Sequence, residues 1–172
     1  ATKISFINAM AEVCETVGGD VVALADAIGH DNRIGRRFLN AGIGFGGGCL
    51  PKDIRAFQAR AVELGVEDAV AFLRDVDAVN SRRRARTVQL AAEMLGGAVR
   101  NKRIAVLGVA FKPNSDDVRD SPALDIAHAL SEAGAVVVAY DPEAMDNAVA
   151  RFPKLQPAES AQAAMADADL VM

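Results

Sequence analysis

The fold class of this chain is indicated most clearly by the run Ile104-Ala105-Val106-Leu107-Gly108-Val109-Ala110-Phe111. A near-continuous apolar run of this kind is typical of a central strand that is buried on both faces of a parallel sheet. A second such strand is predicted at Val136-Val137-Val138-Ala139-Tyr140. Between the two, Ser121-Pro122 is an N-cap and first-turn signal for a helix to about Ala133. The alternation of strand and helix indicates an α/β fold.

The alternation continues to the end of the chain. Asp141-Pro142 closes the second strand and is followed by a helix, a loop around Pro153–Pro157, a helix near Glu159–Ala166 and a last strand. This β-α-β-α-β order predicts an open, doubly wound parallel sheet over residues 99–172.

The loop after the first strand is the expected ligand site of that sheet, because ligands of such sheets lie beyond the carboxyl ends of the strands. Lys112 and Arg119 are candidates for phosphate binding, whereas the aspartates between them could serve only to cap and solvate the turn. The strand ends in Gly108-Val109-Ala110-Phe111, which lacks the G-x-G-x-x-G pattern of dinucleotide-binding turns. The sheet is therefore expected to bind another nucleotide portion, or none.

Residues 1–98 have helical periodicity instead, and Gly96-Gly97 marks the boundary. Helices are predicted over residues 2–17, over Val21–Ile28 with Asp20 as its cap, and from Pro51 to about Leu64. The stretch from Asp68 to about Leu95 is predicted to be one long helix or two abutting ones. Apolar-striped helices without a sheet of their own commonly pack against a second copy, which predicts a homodimer formed through residues 1–95. The run Arg82-Arg83-Arg84-Ala85-Arg86 lies inside the last helix and is interpreted as a solvated helix surface.

The bulk composition excludes several classes of protein. The 172 residues are 51% hydrophobic and 24% charged, with a net charge of −4, which gives no general attraction to nucleic acid or to an anionic membrane. Two unevenly placed cysteines do not suggest a disulfide framework, and no apolar run reaches membrane-spanning length. A cytoplasmic protein is expected. The chain begins inside a helical pattern and stops in a beginning strand, which predicts a piece of a longer protein.

The segment Gly42-Ile43-Gly44-Phe45-Gly46-Gly47-Gly48-Cys49-Leu50-Pro51-Lys52-Asp53 is the candidate active site. Five glycines in seven positions indicate unusual backbone angles or close approach to a ligand. Pro51 suits the first turn of a helix, so Cys49 is expected at a helix N-terminus, where the positive end of the dipole favours a thiolate. Asp53 follows one turn later on the same face. The pattern is that of a site for covalent catalysis.

The alternative interpretation is structural, because a free cysteine is often a small buried hydrophobe and a glycine-rich loop can be a tight connection. Cys14, in an apolar helical stretch without glycines, is interpreted as a core residue. Arg33, Arg36 and Arg37 precede the glycines and are either solvated charges or, for one of them, a phosphate ligand.

The segment Phe45–Asp53 resembles the catalytic cysteine motif of the UDP-glucose 6-dehydrogenase and GDP-mannose dehydrogenase family. Arg33-Ile34-Gly35, Phe111-Lys112 and Asp117-Val118-Arg119-Asp120-Ser121-Pro122 resemble further blocks of its UDP-glucose branch. The resemblance covers essentially the whole chain. It implies a central helical dimerisation region over residues 1–98 and part of a Rossmann-like UDP-binding domain over residues 99–172.

The resemblance also implies an activity, namely two successive NAD-dependent oxidations at C6 of the sugar. Cys49 would add to the aldehyde, the resulting thiohemiacetal would be oxidised to a thioester, and Asp53 would position or deprotonate the water that hydrolyses it. The substrate-binding residues implied are Arg33 (in the partner subunit's site), Asn40, Gly42, Ile43, Gly44, Phe45, Gly46, Phe111 and Lys112. The residues implied to border NAD are Cys49, Leu50, Pro51, Lys52 and Arg119.

The chain departs from the family pattern at several points. The family's catalytic lysine and asparagine would precede Ala1, Asn40 stands where some members carry lysine, and the last UDP-contacting arginine would follow Met172. The chain alone is therefore expected to be inactive. Three alternatives stay open: a GDP-mannose dehydrogenase, a non-catalytic nucleotide-sugar-binding and dimerisation module, and nucleic-acid binding through Arg82–Arg86, which the net charge disfavours.

Overall fold

The structure of the chain, a computed structural model, describes residues 1–172. The α-helices are α1 (Thr2–Val17), α2 (Val21–Gly29), α3 (Leu50–Glu63), α4 (Phe72–Met94), α5 (Pro122–Glu132), α6 (Met145–Arg151) and α7 (Ala161–Met165). The strands are β1 (Arg103–Leu107), β2 (Val136–Tyr140), β3 (Gln156–Pro157) and β4 (Leu170–Val171), and a short 3-10 helix spans Glu67–Val70.

The chain divides into two compact units. The first comprises Ala1–Phe45 and Cys49–Arg83, and the second comprises Gly46–Gly48 and Arg84–Met172. The division along the chain falls inside α4, and the three glycines before Cys49 are counted with the second unit although their neighbours in sequence are not. The domain boundary between residues 98 and 99 stays a prediction.

The first unit is helical, as predicted. The helices α1 and α2 begin and end at the expected signals, whereas the helix expected from Asp68 begins at Phe72, after the 3-10 helix Glu67–Val70. The Asp20 carboxylate accepts hydrogen bonds from the backbone N–H groups of Val22 (2.8 Å) and Ala23 (3.2 Å) and so caps α2. Gly18 ends α1 in the left-handed region, at φ 70°. Two small apolar clusters hold the unit together, one around Ile7, Ala25 and Leu39 and one around Phe45, Ile54, Leu73 and Val76.

The second unit contains a four-stranded sheet of order β3-β2-β1-β4 in which every neighbouring pair is parallel. Side chains alternate between its faces, as the period of two requires. Ile104 and Val137 belong to the larger core with residues of α5 and α6, while Ala105 and Val138 pack with Ala164 of α7 on the other face. Because both faces are covered, the strands read as continuous apolar runs. The predicted α/β class with a doubly wound parallel sheet is confirmed.

Two details of the sheet differ from the sequence prediction. β1 ends at Leu107 instead of continuing to Phe111, because Gly108 turns the chain at φ 93°. The two-residue β3 lies where a loop was expected, around Pro153–Pro157. A strand that pairs over only two residues leaves too short a pattern to be recognised in sequence.

No helix of the chain combines the length and apolarity that crossing a membrane requires.

Candidate active site

The first part of the glycine-rich segment, Gly42–Phe45, is fixed by side chains of the first unit. The Asn8 Oδ1 accepts a hydrogen bond from the N–H of Gly42 (2.8 Å), and the Arg83 Nε donates to the Gly42 carbonyl (3.1 Å). The Asn80 amide binds both backbone groups of Phe45, accepting from its N–H at 2.7 Å and donating to its carbonyl at 3.0 Å. The Phe45 side chain is buried in the cluster with Ile54.

The second part, Gly46–Gly48, packs against the loop that follows β1 in the second unit. A Cβ at position 46 would overlap the carbonyl oxygen of Asp120, and one at position 47 would lie 2.6 Å from a ring carbon of Phe111. A Cβ at position 48 would lie 2.8 Å from the guanidinium carbon of Arg119. Positions 46 and 47 therefore require glycine because a backbone oxygen and an aromatic ring approach them closely, whereas at position 48 the neighbour is the flexible end of an exposed arginine, which can move away.

Cys49 follows these glycines as the N-cap residue of α3, and its side chain is exposed. Pro51 lies in the first turn and is buried. Asp53, one turn later, is exposed and donates its backbone N–H to the Cys49 carbonyl (2.8 Å), and its carboxylate lies 3.3 Å from the Lys52 ammonium. A solvent-accessible thiol at a helix N-terminus, one turn from a carboxylate, is an arrangement that can support nucleophilic catalysis with an adjacent base.

Cys14, the second thiol, is half-buried on α1 and belongs to none of the apolar clusters. It is thus less buried than its apolar surroundings in sequence predict. The helix ends at Gly18 shortly after it, so the end of α1 leaves this side chain partly open to solvent.

The basic segment before the glycines is organised by ion pairs. The Arg33 side chain is 89% exposed and binds Asp31, which lowers the pKa of that carboxyl through hydrogen bonds from the arginine side chain and backbone. Arg36 binds Asp26, the Leu39 carbonyl and the Asn40 Oδ1 (2.8 Å). Asn40 is therefore oriented by an arginine at an exposed position.

The loop after β1 carries the other predicted site residues. The Lys112 ammonium lies 5.1 Å from the centroid of the Phe111 ring. The exposed Arg119 side chain binds Asp117, and its hydrogen bonds, first from the guanidinium and then from its backbone N–H, lower the pKa of Asp117 to about 2. The Arg119 carbonyl accepts from the N–H of Gly47 (2.9 Å), so this loop also fixes the glycine segment of its own unit.

Asp141, at the end of β2, holds the turn after β1 in place, a structural role that the sequence did not predict. It follows β2 and is nearly buried, and its two oxygens accept hydrogen bonds from the N–H groups of Val109 (2.8 Å), Ala110 (3.0 Å), Glu143 (3.0 Å) and Ala144 (3.0 Å). Burial raises the pKa of Asp141, but the four N–H donors outweigh it and leave the pKa below its ordinary value. In dinucleotide-binding sheets an acid at such a position is available to a ribose, whereas here it binds the turn after β1.

Each arginine of the run Arg82–Arg86 in α4 lies near an acidic side chain of its own unit. Arg82 and Arg83 lie near Glu12 and Glu15, and Arg84 and Arg86 bind Asp125 and Glu93 respectively. These ion pairs neutralise the charge of the run locally. The Arg83 and Arg84 side chains are only 13% and 18% exposed, so these two do not form the solvated helix surface that the sequence predicted. The chain contains no cluster of three or more His, Cys, Asp and Glu side chains that could hold a metal ion.

Sequence reasoning missed Asn8 and Asn80, which are 0% and 2% exposed. A polar residue within a helical apolar stripe, such as Asn8 beside Ile7, was the available signal. The conformation of Phe38 was not predicted either. This residue is 64% exposed and has φ 66°, which is unfavourable for an aromatic residue, and no sequence pattern indicates a positive φ there.

Comparison with known proteins gives matches along the chain. The family model "UDP-glucose/GDP-mannose dehydrogenase family, central domain" matches residues 1–82, and that family's "UDP binding domain" matches residues 105–172. A UDP-glucose 6-dehydrogenase of Rhizobium meliloti is 44% identical over 172 residues, which is all of this chain and 39% of that relative. The chain thus spans about two fifths of the relative's length.

Two solved structures are similar in fold. A UDP-glucose dehydrogenase from Pyrobaculum islandicum superimposes with a TM-score of 0.92 at 40% identity, covering 98% of this chain and 39% of that one. A GDP-mannose dehydrogenase from Pseudomonas aeruginosa, solved as a ternary complex, gives a TM-score of 0.70 at 25% identity, covering 99% of this chain and 40% of that one.

Proposed function

The chain belongs to the UDP-glucose/GDP-mannose dehydrogenase family, and from that premise we propose that it is the catalytic-cysteine and UDP-binding part of a UDP-glucose 6-dehydrogenase. The full-length protein oxidises the C6 alcohol of UDP-glucose to the carboxylate of UDP-glucuronate in two steps. One observation carries the proposal: an exposed thiol at the N-terminus of α3, directly after a fixed glycine segment and one turn before the Asp53 carboxylate.

Cys49 acts in the second oxidation. Its thiolate adds to the C6 aldehyde left by the first oxidation, and the aldehyde oxygen takes up a proton to give a thiohemiacetal. Loss of hydride from C6 and of the hydroxyl proton then gives a thioester on the sulfur. Asp53 holds the attacking water and takes its proton, so that hydrolysis releases the carboxylate and returns the thiolate.

NAD is the proposed cofactor, and its chemistry would be to accept the hydride in each oxidation. The proposed NAD-binding residues in the first unit are Cys49, Leu50, Pro51 and Lys52 at the start of α3. All but Pro51 are exposed, and the backbone N–H groups of Leu50 and Lys52 together with the lysine ammonium suit an anionic pyrophosphate. In the second unit Arg119 offers a guanidinium that is 72% exposed. Each of these two groups, taken within its own unit, has a donor that suits a phosphate.

The proposed substrate-binding residues are those that the family resemblance implies. They are Arg33, Asn40, Gly42, Ile43, Gly44 and Phe45 in the first unit, and Gly46, Phe111 and Lys112 in the second. Two observations support this assignment. The Arg33 side chain is exposed, and Lys112 places a positive charge in the loop after β1, where it can bind a phosphate group.

The substrate is proposed to be a UDP-sugar because the similarity to the UDP-glucose dehydrogenase structure exceeds that to the GDP-mannose dehydrogenase structure, 40% against 25% identity. Steady-state rates of the full-length protein with UDP-glucose and GDP-mannose test this choice. A higher kcat/KM with GDP-mannose would overturn it.

The variant Cys49→Ser in the full-length protein tests the proposed role of the thiol. We expect formation of UDP-glucuronate to fall by at least about 10³-fold, because the covalent step is lost. The matched control Cys14→Ser keeps wild-type activity. Normal four-electron oxidation by Cys49→Ser contradicts the mechanism.

The 172-residue chain alone is proposed to be inactive and dimeric. On α1, Phe6, Val13 and Val17 are 44%, 52% and 72% exposed, which supports the burial of this helix against a second copy. Sedimentation equilibrium should give twice the chain mass of 18.0 kDa, and a monomer mass at all concentrations would contradict the dimer. NADH production from this chain with UDP-glucose would contradict the inactivity.

The proposed location of the protein is the cytoplasm. Both cysteines are free thiols, which fits a reducing compartment.

A further inference from the structure

The segment Gly42–Phe45 is hydrogen-bonded at both ends and free in its middle. Both backbone groups of Gly42 are bound, by Asn8 and Arg83, and both backbone groups of Phe45 are bound by Asn80. The N–H and carbonyl groups of Ile43 and Gly44 make no hydrogen bond within the chain. The two central peptide groups are therefore held in place and left available to a ligand.

We propose that Asn8 and Asn80 are positioning residues that hold Gly42–Phe45 in its substrate-binding conformation, an inference that rests on the substrate role proposed above for this segment. Both side chains are essentially buried, so they act through the backbone that they bind and do not themselves touch substrate. A rigid supporting shell of this kind keeps binding groups in productive geometry.

Asn80 and the segment are fitted to each other. Gly44 has φ 107°, and a Cβ there would lie 2.6 Å from the Asn80 Oδ1 and 3.2 Å from the Asn80 carbonyl oxygen. The side chain of Phe45 is 6% exposed and anchors the next residue in an apolar cluster. The conformation of Ile43 and Gly44 is therefore constrained by Asn80, which packs against Gly44, and by the buried side chain of the next residue, Phe45.

The presence of a buried asparagine at position 8 is not explained by protein stability alone. Its Nδ2 is buried without a hydrogen-bond partner, which is unfavourable for a polar group. Its Oδ1 nevertheless supplies the acceptor for the Gly42 N–H, a group that an apolar side chain would leave unpaired.

Ser5 is a matched control on the same helix. It is 3% exposed, and its Oγ donates to the Val76 carbonyl at 2.7 Å, so it is a buried polar residue that makes a long-range hydrogen bond without contacting the glycine segment. Ser5→Ala reports the general effect of removing such a bond.

The experiment compares Asn80→Ala, Asn8→Ala and Ser5→Ala in the full-length protein by hydrogen exchange and steady-state kinetics. We expect the Phe45 N–H in Asn80→Ala, and the Gly42 N–H in Asn8→Ala, to exchange at least about tenfold faster. The KM for UDP-glucose should rise about tenfold with kcat changed less than about threefold, because uniform substrate binding is lost. Ser5→Ala should leave the exchange of both amides and KM unchanged.

Two results overturn the inference: an unchanged KM in folded Asn80→Ala and Asn8→Ala, or an equal rise of KM in Ser5→Ala. If Asn80→Ala does not fold, Asn80→Asp replaces it; this variant keeps an acceptor for the Phe45 N–H but loses the donor to the Phe45 carbonyl, and an unchanged KM there overturns the inference as well. A wild-type protein that does not oxidise UDP-glucose refutes the proposed function, whereas an active wild type with unaffected variants refutes only the positioning role.

Discussion

Gly47 lies directly against the ring of Phe111, and its own backbone has φ 87°. A Cβ at position 47 would come within 2.6 Å of ring carbon Cε2 and 2.7 Å of Cδ2, distances that real side chains do not adopt. The Gly47 N–H is also bound to the Arg119 carbonyl, so the backbone cannot move away without losing a hydrogen bond.

Replacement of Gly47 by alanine should therefore destabilise the protein. We expect Gly47→Ala to lower the free energy of unfolding by about 1–3 kcal/mol, through the clash with Phe111 and the unfavourable φ. Thermal unfolding followed by circular dichroism measures the effect. Gly42→Ala is the control, because no atom lies within 4 Å of a Cβ there and φ is not positive; equal destabilisation by both variants would refute the packing argument.

Selective alkylation should distinguish the two thiols. Cys49 is exposed at the N-terminus of α3, whereas Cys14 is half-buried in α1, so iodoacetamide should modify Cys49 at least about tenfold faster. Mass spectrometry of peptides from the timed reaction measures both rates. UDP-glucose should slow modification of Cys49 in the full-length protein and leave Cys14 unaffected; faster modification of Cys14 would contradict the proposed role of Cys49.

Loss of the Asp141 carboxylate should destabilise the second unit in a pH-dependent way. In Asp141→Asn an amide NH₂ replaces one of two oxygens that each accept two N–H groups, so we expect a loss of about 2–4 kcal/mol at pH 7. Because the folded pKa of Asp141 lies below its ordinary value of 3.8, its contribution is present above that pH and is lost as the pH falls through the folded pKa. The difference between the two proteins should therefore be largest above about pH 5 and shrink in acid.

Urea unfolding at pH 7 and at pH 3 measures this difference. Glu143→Gln is the control, since it removes one negative charge from an exposed neighbour whose side chain makes no hydrogen bond. A deficit of Asp141→Asn that grows as the pH falls would contradict the assignment.

Most of the fold could be read from the chain itself. Continuous apolar runs at Ile104 and Val136 predict strands buried on both faces, and Asp20, Ser121 and Gly18 act at the helix ends where their local chemistry places them. The position of Cys49 at a helix N-terminus followed from Pro51 in the same way. These features depend on neighbours within a few residues, which is the range over which a sequence pattern carries information.

The contacts that hold the glycine segment could not be predicted from the sequence, because they form only in the folded chain. The contacts of Gly42 with Asn8, of Phe45 with Asn80 and of Val109 with Asp141 join residues 34, 35 and 32 positions apart. These hydrogen bonds produce no periodic pattern in the sequence, because one buried amide or carboxylate can bind any backbone group that folding brings close to it. Sequence thus determined the elements and the reactive thiol, whereas long-range packing determined which backbone groups are held and which are left free.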